Sequence, residues 1–195
     1  MQRSKQLLVL TAITIIVSCS GIRVNQDYEM STIFQKYRTF DFAPGRFQKS
    51  GDILMDSPLM DQRIRGAIED TLIFRGYPKT ADSRPDFRVE YQLGVRTRIE
   101  TDTIPAYGWW GYPCEYRHCN YYPYWGGFGY ETYVRQYEEV TLVIDFMDSE
   151  TNKLFWRGVG SRRLATQLTP EKMTDWINQL VLEILAQYPP LPGGR

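Results

Sequence analysis

The chain has 195 residues, with 23 basic and 23 acidic side chains for a net charge of zero, and is 43% hydrophobic and 14% aromatic. Balanced charge excludes the basic footprint of a nucleic-acid binder and the acidity of a disordered tail, and the length suits one domain with its own core. A single His, three Cys and no phosphate-loop or dinucleotide glycine pattern leave little room for familiar catalysis and imply no cofactor.

Arg3 and Lys5 precede an apolar run over residues 7–17, and no Asp or Glu occurs before Asp27. A membrane-spanning helix needs roughly 20 apolar residues, so residues 1–18 read as a cleavable export signal and not as a permanent anchor. The run ends in Ile16-Val17-Ser18-Cys19, which resembles the lipobox of bacterial lipoproteins. That resemblance implies cleavage before Cys19, acylation of its thiol and attachment to a membrane. The alternative is an ordinary signal peptide with an incidental Cys. Each buried CH2 of an acyl chain contributes about 0.8 kcal/mol, so several chains hold firmly. Ser20, in place of Asp, points by resemblance to the sorting rule of enteric bacteria to the outer membrane, and no acidic cluster follows Cys19, which favours a periplasm-facing location.

Residues 19–22 then form a short tether to a domain expected over residues 23–188. Ile22-Arg23-Val24-Asn25-Gln26-Asp27-Tyr28 and Tyr37-Arg38-Thr39-Phe40-Asp41-Phe42 alternate apolar and polar residues, which predicts two half-buried strands. Because the first begins almost at Cys19, the domain should sit against the membrane surface. Ser57-Pro58 supplies an N-cap hydroxyl and a proline at the first helical position, and Gly76 can end the helix. Met60, Ile64, Ala67, Ile68, Thr71 and Leu72 give that helix one apolar face. Residues 86–95 alternate as a strand, residues 133–147 hold the branched run Val140-Thr141-Leu142-Val143-Ile144, and a turn at residues 148–152 leads into a further strand over residues 153–164. Thr169-Pro170 opens a second helix with the stripe Met173, Trp176, Ile177, Leu180, Val181, Ile184 and Leu185, ended by Pro189-Pro190. Residues 189–195 read as a flexible tail. The order β-β-α-β-β-β-α predicts an α+β fold, a mainly antiparallel sheet of about five strands with both helices packed on one face.

Several of these segments, in this order, resemble the bacterial lipoprotein family grouped as domain of unknown function 4136. They are Tyr37-Arg38-Thr39-Phe40-Asp41-Phe42, Ile73-Phe74-Arg75-Gly76-Tyr77, Pro85-Asp86-Phe87-Arg88-Val89, Thr141-Leu142-Val143-Ile144-Asp145, Leu154-Phe155-Trp156-Arg157-Gly158 and the closing Tyr188-Pro189-Pro190. The resemblance implies an exported α+β lipoprotein and brings no catalytic residues with it. Physically, the same residues suit structural roles. Trp156 and Tyr37 can fill the core, Arg157 can pair with Asp145 or Asp148, and Gly158 and Gly160 in one strand suggest a bulge or a close backbone approach. Asp145 and Asp148 are at odd spacing, so a strand sends them to opposite faces and not into one two-carboxylate cleft.

Residues 107–133 hold 12 of the 28 aromatic residues and 5 of the 15 glycines. Lacking helix or strand periodicity, they predict an irregular loop over residues 104–133. Three readings of it compete. Trp109, Trp110, Tyr112, Tyr121, Tyr122, Tyr124, Trp125 and Phe128 can present rigid amphipathic surfaces to an envelope protein or glycan. They can also rest among lipid headgroups, or form a bland low-complexity insertion. Cys114 and Cys119 are disulfide candidates in an oxidising envelope; a Cys114, His118, Cys119 metal site is the weaker alternative, with no fourth ligand. A glycan-active enzyme is the rival class, but His118 is the one available imidazole base and no spacing predicts facing carboxylates. The expectation is a membrane-anchored, non-catalytic interaction or scaffold module of the cell envelope, with no resident metal.

Overall fold

The structure, a computed structural model, describes residues 21–44, 51–53, 55–80, 84–106, 129–165 and 168–191. The strands are β1 (Arg23–Tyr28), β2 (Phe40–Phe42), β3 (Phe87–Ala106), β4 (Gly129–Asp148) and β5 (Leu154–Arg163); the helices are α1 (Pro58–Phe74) and α2 (Pro170–Leu185). They form one five-stranded sheet in the order β1-β5-β4-β3-β2. Element order and class agree with the sequence reading, but the sheet is mixed, since β2 runs parallel to β3 while every other pair is antiparallel. The cause lies in the connection. α1 carries the chain from β2 to its neighbour β3, and a helical crossover returns the chain in its original direction.

Both helices begin as their sequences dictate. The Ser57 hydroxyl accepts the Met60 N–H at 3.2 Å and the Thr169 hydroxyl accepts the Lys172 N–H at 3.4 Å, each followed by a proline. Beyond α1, Gly76 takes φ +89°, the left-handed geometry that lets the chain turn away. The register places the helices on one face of the sheet. Tyr91, Ile144 and Gly158 are cross-strand neighbours and share a face. The Tyr91 hydroxyl donates to Asp61 of α1, and Gly158 lies under Ile184 of α2.

The core between sheet and helices is rich in rings. Phe40, Phe87, Phe146, Trp156 and Tyr188 are all fully buried, with Phe146 4.7 Å from Trp156 and Trp156 5.2 Å from Tyr188, centroid to centroid. Each such ring removes about 150–250 Å² from water. Gly158 and Gly160 are the close approach that the sequence suggested. A Cβ at Gly158 would lie 2.5 Å from Ile184 Cγ2 and closer still to the Trp156 ring, and one at Gly160 would lie 2.6 Å from Ile184 Cγ1.

Tyr37 is buried as expected, although it precedes β2 and does not lie within it; its ring stacks on Phe155 at 3.8 Å. β2 starts only at Phe40: Phe34–Lys36 make a short 3-10 turn, and the Arg38 and Thr39 N–H groups donate to the Asp86 carboxylate at 2.9 Å and not to a neighbouring strand.

Candidate functional site: the long ribbon and the cleft at the opposite end

The feature that sequence periodicity missed is the length of β3 and β4. Their pairing is unbroken from Phe87↔Asp148 to Ala106↔Gly129, so the predicted strand end at Val95 and start at Tyr133 are both corrected outward. β5 makes its last pair at Arg163↔Glu139, opposite Arg96. Beyond that row, among the described residues, β3 and β4 continue alone as a two-stranded ribbon. At about 3.4 Å per residue, residues 97–106 extend it by roughly 34 Å.

Branched and threonine residues hold this ribbon extended. Thr101 faces Val134, Thr103 faces Thr132, and Glu100 faces Arg135 in an opposite-charge pair. Arg163 clamps its base, lying 3.6 Å from the Tyr137 ring centre and 3.2 Å from Glu100. Buried Glu139 beside it accepts from Arg98 at 2.8 Å and from Arg23. The bond from Arg98, with that from Arg23, outweighs burial and holds the Glu139 carboxyl below its usual range. Farther out, Ile99 is 70% exposed, Val134 65% and Tyr130 71%.

Residues 107–128 leave from and return to the tip of this ribbon. Trp109, Trp110, Tyr112, Cys114, His118, Cys119, Tyr121, Tyr122, Tyr124, Trp125 and Phe128 lie outside the described residues, as do residues 1–18, read above as an export signal, and Cys19. The first described residue next to Cys19 is Gly21, just before Arg23, which pairs with Ser161 and so faces Thr141 and Gly94 across the sheet. β1 therefore begins at the ribbon end of the sheet.

At the opposite end, where α1 and α2 finish, lies a cleft of about 1040 Å³ walled by Tyr28, Phe34, Arg38, Arg75, Tyr77 and Pro189. Beside it, Asp148 Oδ2 accepts from Lys36 and from the Tyr37 hydroxyl, both at 2.9 Å, while Oδ1 accepts the Glu150 and Thr151 N–H groups. Burial opposes ionisation of Asp148, but Lys36, these N–H groups and the Tyr37 hydroxyl together hold its carboxyl well below the usual range. Asp145 lies on the helix-free face, gripped by Arg157 through two bonds of 2.7 Å. The two carboxylates thus occupy opposite faces, as their spacing required, and each is held by its own cation. The sequence offered Asp148 as one possible partner of Arg157 and set it apart from Asp145 by spacing; nothing in its surroundings in the chain signals Lys36 or Tyr37, which lie more than a hundred residues away.

A family model described as domain of unknown function (DUF4136) matches residues 24–190. The chain belongs to this family. The match runs from the second residue of β1 to beyond the end of α2. No curated protein matches the DUF4136 chain. Among solved structures, a PDZ domain protein from Parabacteroides distasonis is similar with a TM-score of 0.52 and 13% identity over 89% of this chain. The DUF4136 chain spans 37% of that protein, and the likeness concerns the fold alone. Two crystal forms of the PelC dodecamer from Paraburkholderia phytofirmans align over 85% of this chain at 11% identity and a TM-score of 0.43.

Proposed function

We propose that this DUF4136 protein is a non-catalytic envelope lipoprotein, anchored through acylated Cys19 at the outer membrane and facing the periplasm, that binds an envelope protein or glycan through its aromatic segment. The observation that carries the reading is the ribbon. A domain that extends two strands about 34 Å past its own sheet spends chain on reach and not on core, and it does so where the sequence concentrates Trp, Tyr and Gly. Large, rigid aromatic side chains contribute much of the energy of binding surfaces.

A second reading draws on one further observation. β1 begins at the ribbon end of the sheet, and four residues from Cys19 to Arg23 reach at most about 14 Å. With Cys19 acylated, the ribbon overshoots the anchor and must lie along or against the bilayer. That geometry favours headgroup contact by the aromatic residues, either in place of a partner or alongside one.

Two variants test the proposal. Cys19→Ala should leave the chain unanchored or retained with its signal, and an unchanged lipid-bearing mature form would contradict the anchor. Replacing Trp109, Trp110, Tyr124 and Trp125 by Ser should leave anchoring and folding intact but abolish co-recovery of an envelope component after reversible crosslinking in cells. Undiminished recovery would contradict the binding role.

A further inference from the structure

β3 has two edges, and among the described residues only one is used over most of its length. On the outer side β2 covers Phe87–Val89 and no more, so among the described residues the edge from Val95 to Ile104 pairs with nothing. Arg96 through Ile104 are all exposed. Native sheets usually shorten, cover or bulge such an edge, because its unpaired N–H and C=O groups template another strand. Here the edge is long and its register is without irregularity.

The sequence along this edge is Arg96-Thr97-Arg98-Ile99-Glu100-Thr101-Asp102. Read outward from Ile99, it is symmetric in residue type and antisymmetric in charge. Laid antiparallel against its own copy with Ile99 opposite Ile99, it sets Thr97 against Thr101, Arg98 against Glu100 and Arg96 against Asp102, each pair occurring twice. The other edge of the ribbon, β4 over residues 130–137, reads Tyr-Glu-Thr-Tyr-Val-Arg-Gln-Tyr and has no such symmetry.

Backbone phase agrees with this register. The Val89 carbonyl accepts the Ala43 N–H at 3.0 Å and the Phe87 N–H donates to Thr39 at 3.2 Å, so these residues point their peptide groups to the outer edge. Strand alternation then points those of Val95, Thr97, Ile99, Thr101 and Thr103 the same way. Ile99 therefore falls at a hydrogen-bonded site, where two copies exchange N–H and C=O about a two-fold axis. The four charged positions fall at the non-hydrogen-bonded sites, where Cα atoms approach to about 4.5 Å and side chains meet most closely. Among the described residues neither Arg96 nor Asp102 has an ion-pair partner within the chain. A two-stranded ribbon in water is marginal, and pairing would convert two ribbons into one four-stranded sheet.

We propose that the outer edge of β3 is a self-association surface, on which a second copy of this chain docks antiparallel about a two-fold axis at Ile99. It stands on this edge alone and is independent of what the ribbon tip binds. The interface is isologous and closes at two copies.

The test uses the full-length chain in mild detergent, with sedimentation velocity as the readout and circular dichroism as the control for folding. The wild-type chain should be dimeric, and its dimer should weaken as salt is raised. Arg96→Asp sets Asp against Asp at two sites, and Asp102→Arg sets Arg against Arg; each should raise the dimer dissociation constant by about thirtyfold. An equimolar mixture of the two variants restores opposite charge at both sites and should recover the dimer as a heterodimer. A misfolded variant would not be rescued by mixing. A wild-type monomer, variants that dimerise undiminished, or a mixture that stays monomeric would each overturn the proposal.

Discussion

Gly158→Ala probes the packing that places α2 on the sheet. The added methyl would sit 2.5 Å from Ile184 Cγ2 and 3.0 Å from Trp156 Cζ2, with Trp156 Cη2 nearer than either. Both neighbours are fully buried, and the indole is further fixed by its N–H bond to Gln26 at 3.1 Å. Neither can swing aside into solvent, so the methyl must push α2 outward or force a strained rotamer. Overpacking of this kind costs about 1–3 kcal/mol. For a domain of this size that lowers Tm by roughly 2–4 °C per kcal/mol, or about 4–8 °C for a cost near 2 kcal/mol. Urea unfolding followed by tryptophan fluorescence and far-UV circular dichroism gives the free energy directly. Gly94→Ala is the matched control. It lies in the same sheet on the helix-free face, and the nearest atom to its Cβ would be the Thr141 carbonyl oxygen at 3.9 Å. It should be neutral, or stabilise by up to about 1 kcal/mol through the unfolded chain. A Gly158→Ala protein as stable as wild type, or a Gly94→Ala protein equally damaged, would refute the argument that contact with α2 dictates glycine here.

Arg157→Ala should destabilise by about 1–2 kcal/mol in denaturant titration, because it strands the buried Asp145 carboxylate; the part-exposed guanidinium keeps the loss below that of a fully buried pair. Asp148 has a folded-state pKa below its unfolded value, so its contribution is present above about pH 4 and is lost as pH falls through the folded value. In Asp148→Asn, stability at pH 7 should therefore fall while the acid-induced loss becomes shallower, as read from Tm between pH 2 and pH 7. Tyr37→Phe keeps the ring stacked on Phe155 but removes one bond to Asp148, and should cost about 1 kcal/mol by the same assay. Intact mass of native protein with and without reductant should reveal one internal disulfide between Cys114 and Cys119; two freely alkylated thiols would refute that pairing.

Local chemistry made much of this fold legible. The Ser57-Pro58 and Thr169-Pro170 starts, the Gly76 stop and the apolar stripes of both helices depend on neighbours within a few residues, and they stand where expected. The sequence narrowed Arg157 to Asp145 or Asp148, and Gly158 and Gly160 to a bulge or a close approach; the hairpin register decides for Asp145, and the packing of α2 decides for the close approach. What escaped depends on partners far along the chain. β2 is parallel because α1 intervenes, a fact of topology and not of its three residues. The outer half of β3 escaped because Thr97, Thr101 and Thr103 give it no apolar face to signal a strand. Its order comes from pairing with β4, whose residues lie about twenty to forty positions farther along the chain. Lys36, Tyr37 and Asp148 meet at the cleft for the same reason, brought together by the edge that β2 occupies.

Photo-crosslinking in cells, from residues incorporated at Trp110 and at Tyr124 with the helix-surface position Lys172 as control, tests the central claim most directly. The account predicts a discrete protein or glycan adduct that forms from Trp110 and Tyr124 and not from Lys172, identified by mass spectrometry. Lipid adducts alone would replace partner binding by membrane contact, and adducts no stronger than those from Lys172 would contradict an interaction role for the ribbon tip.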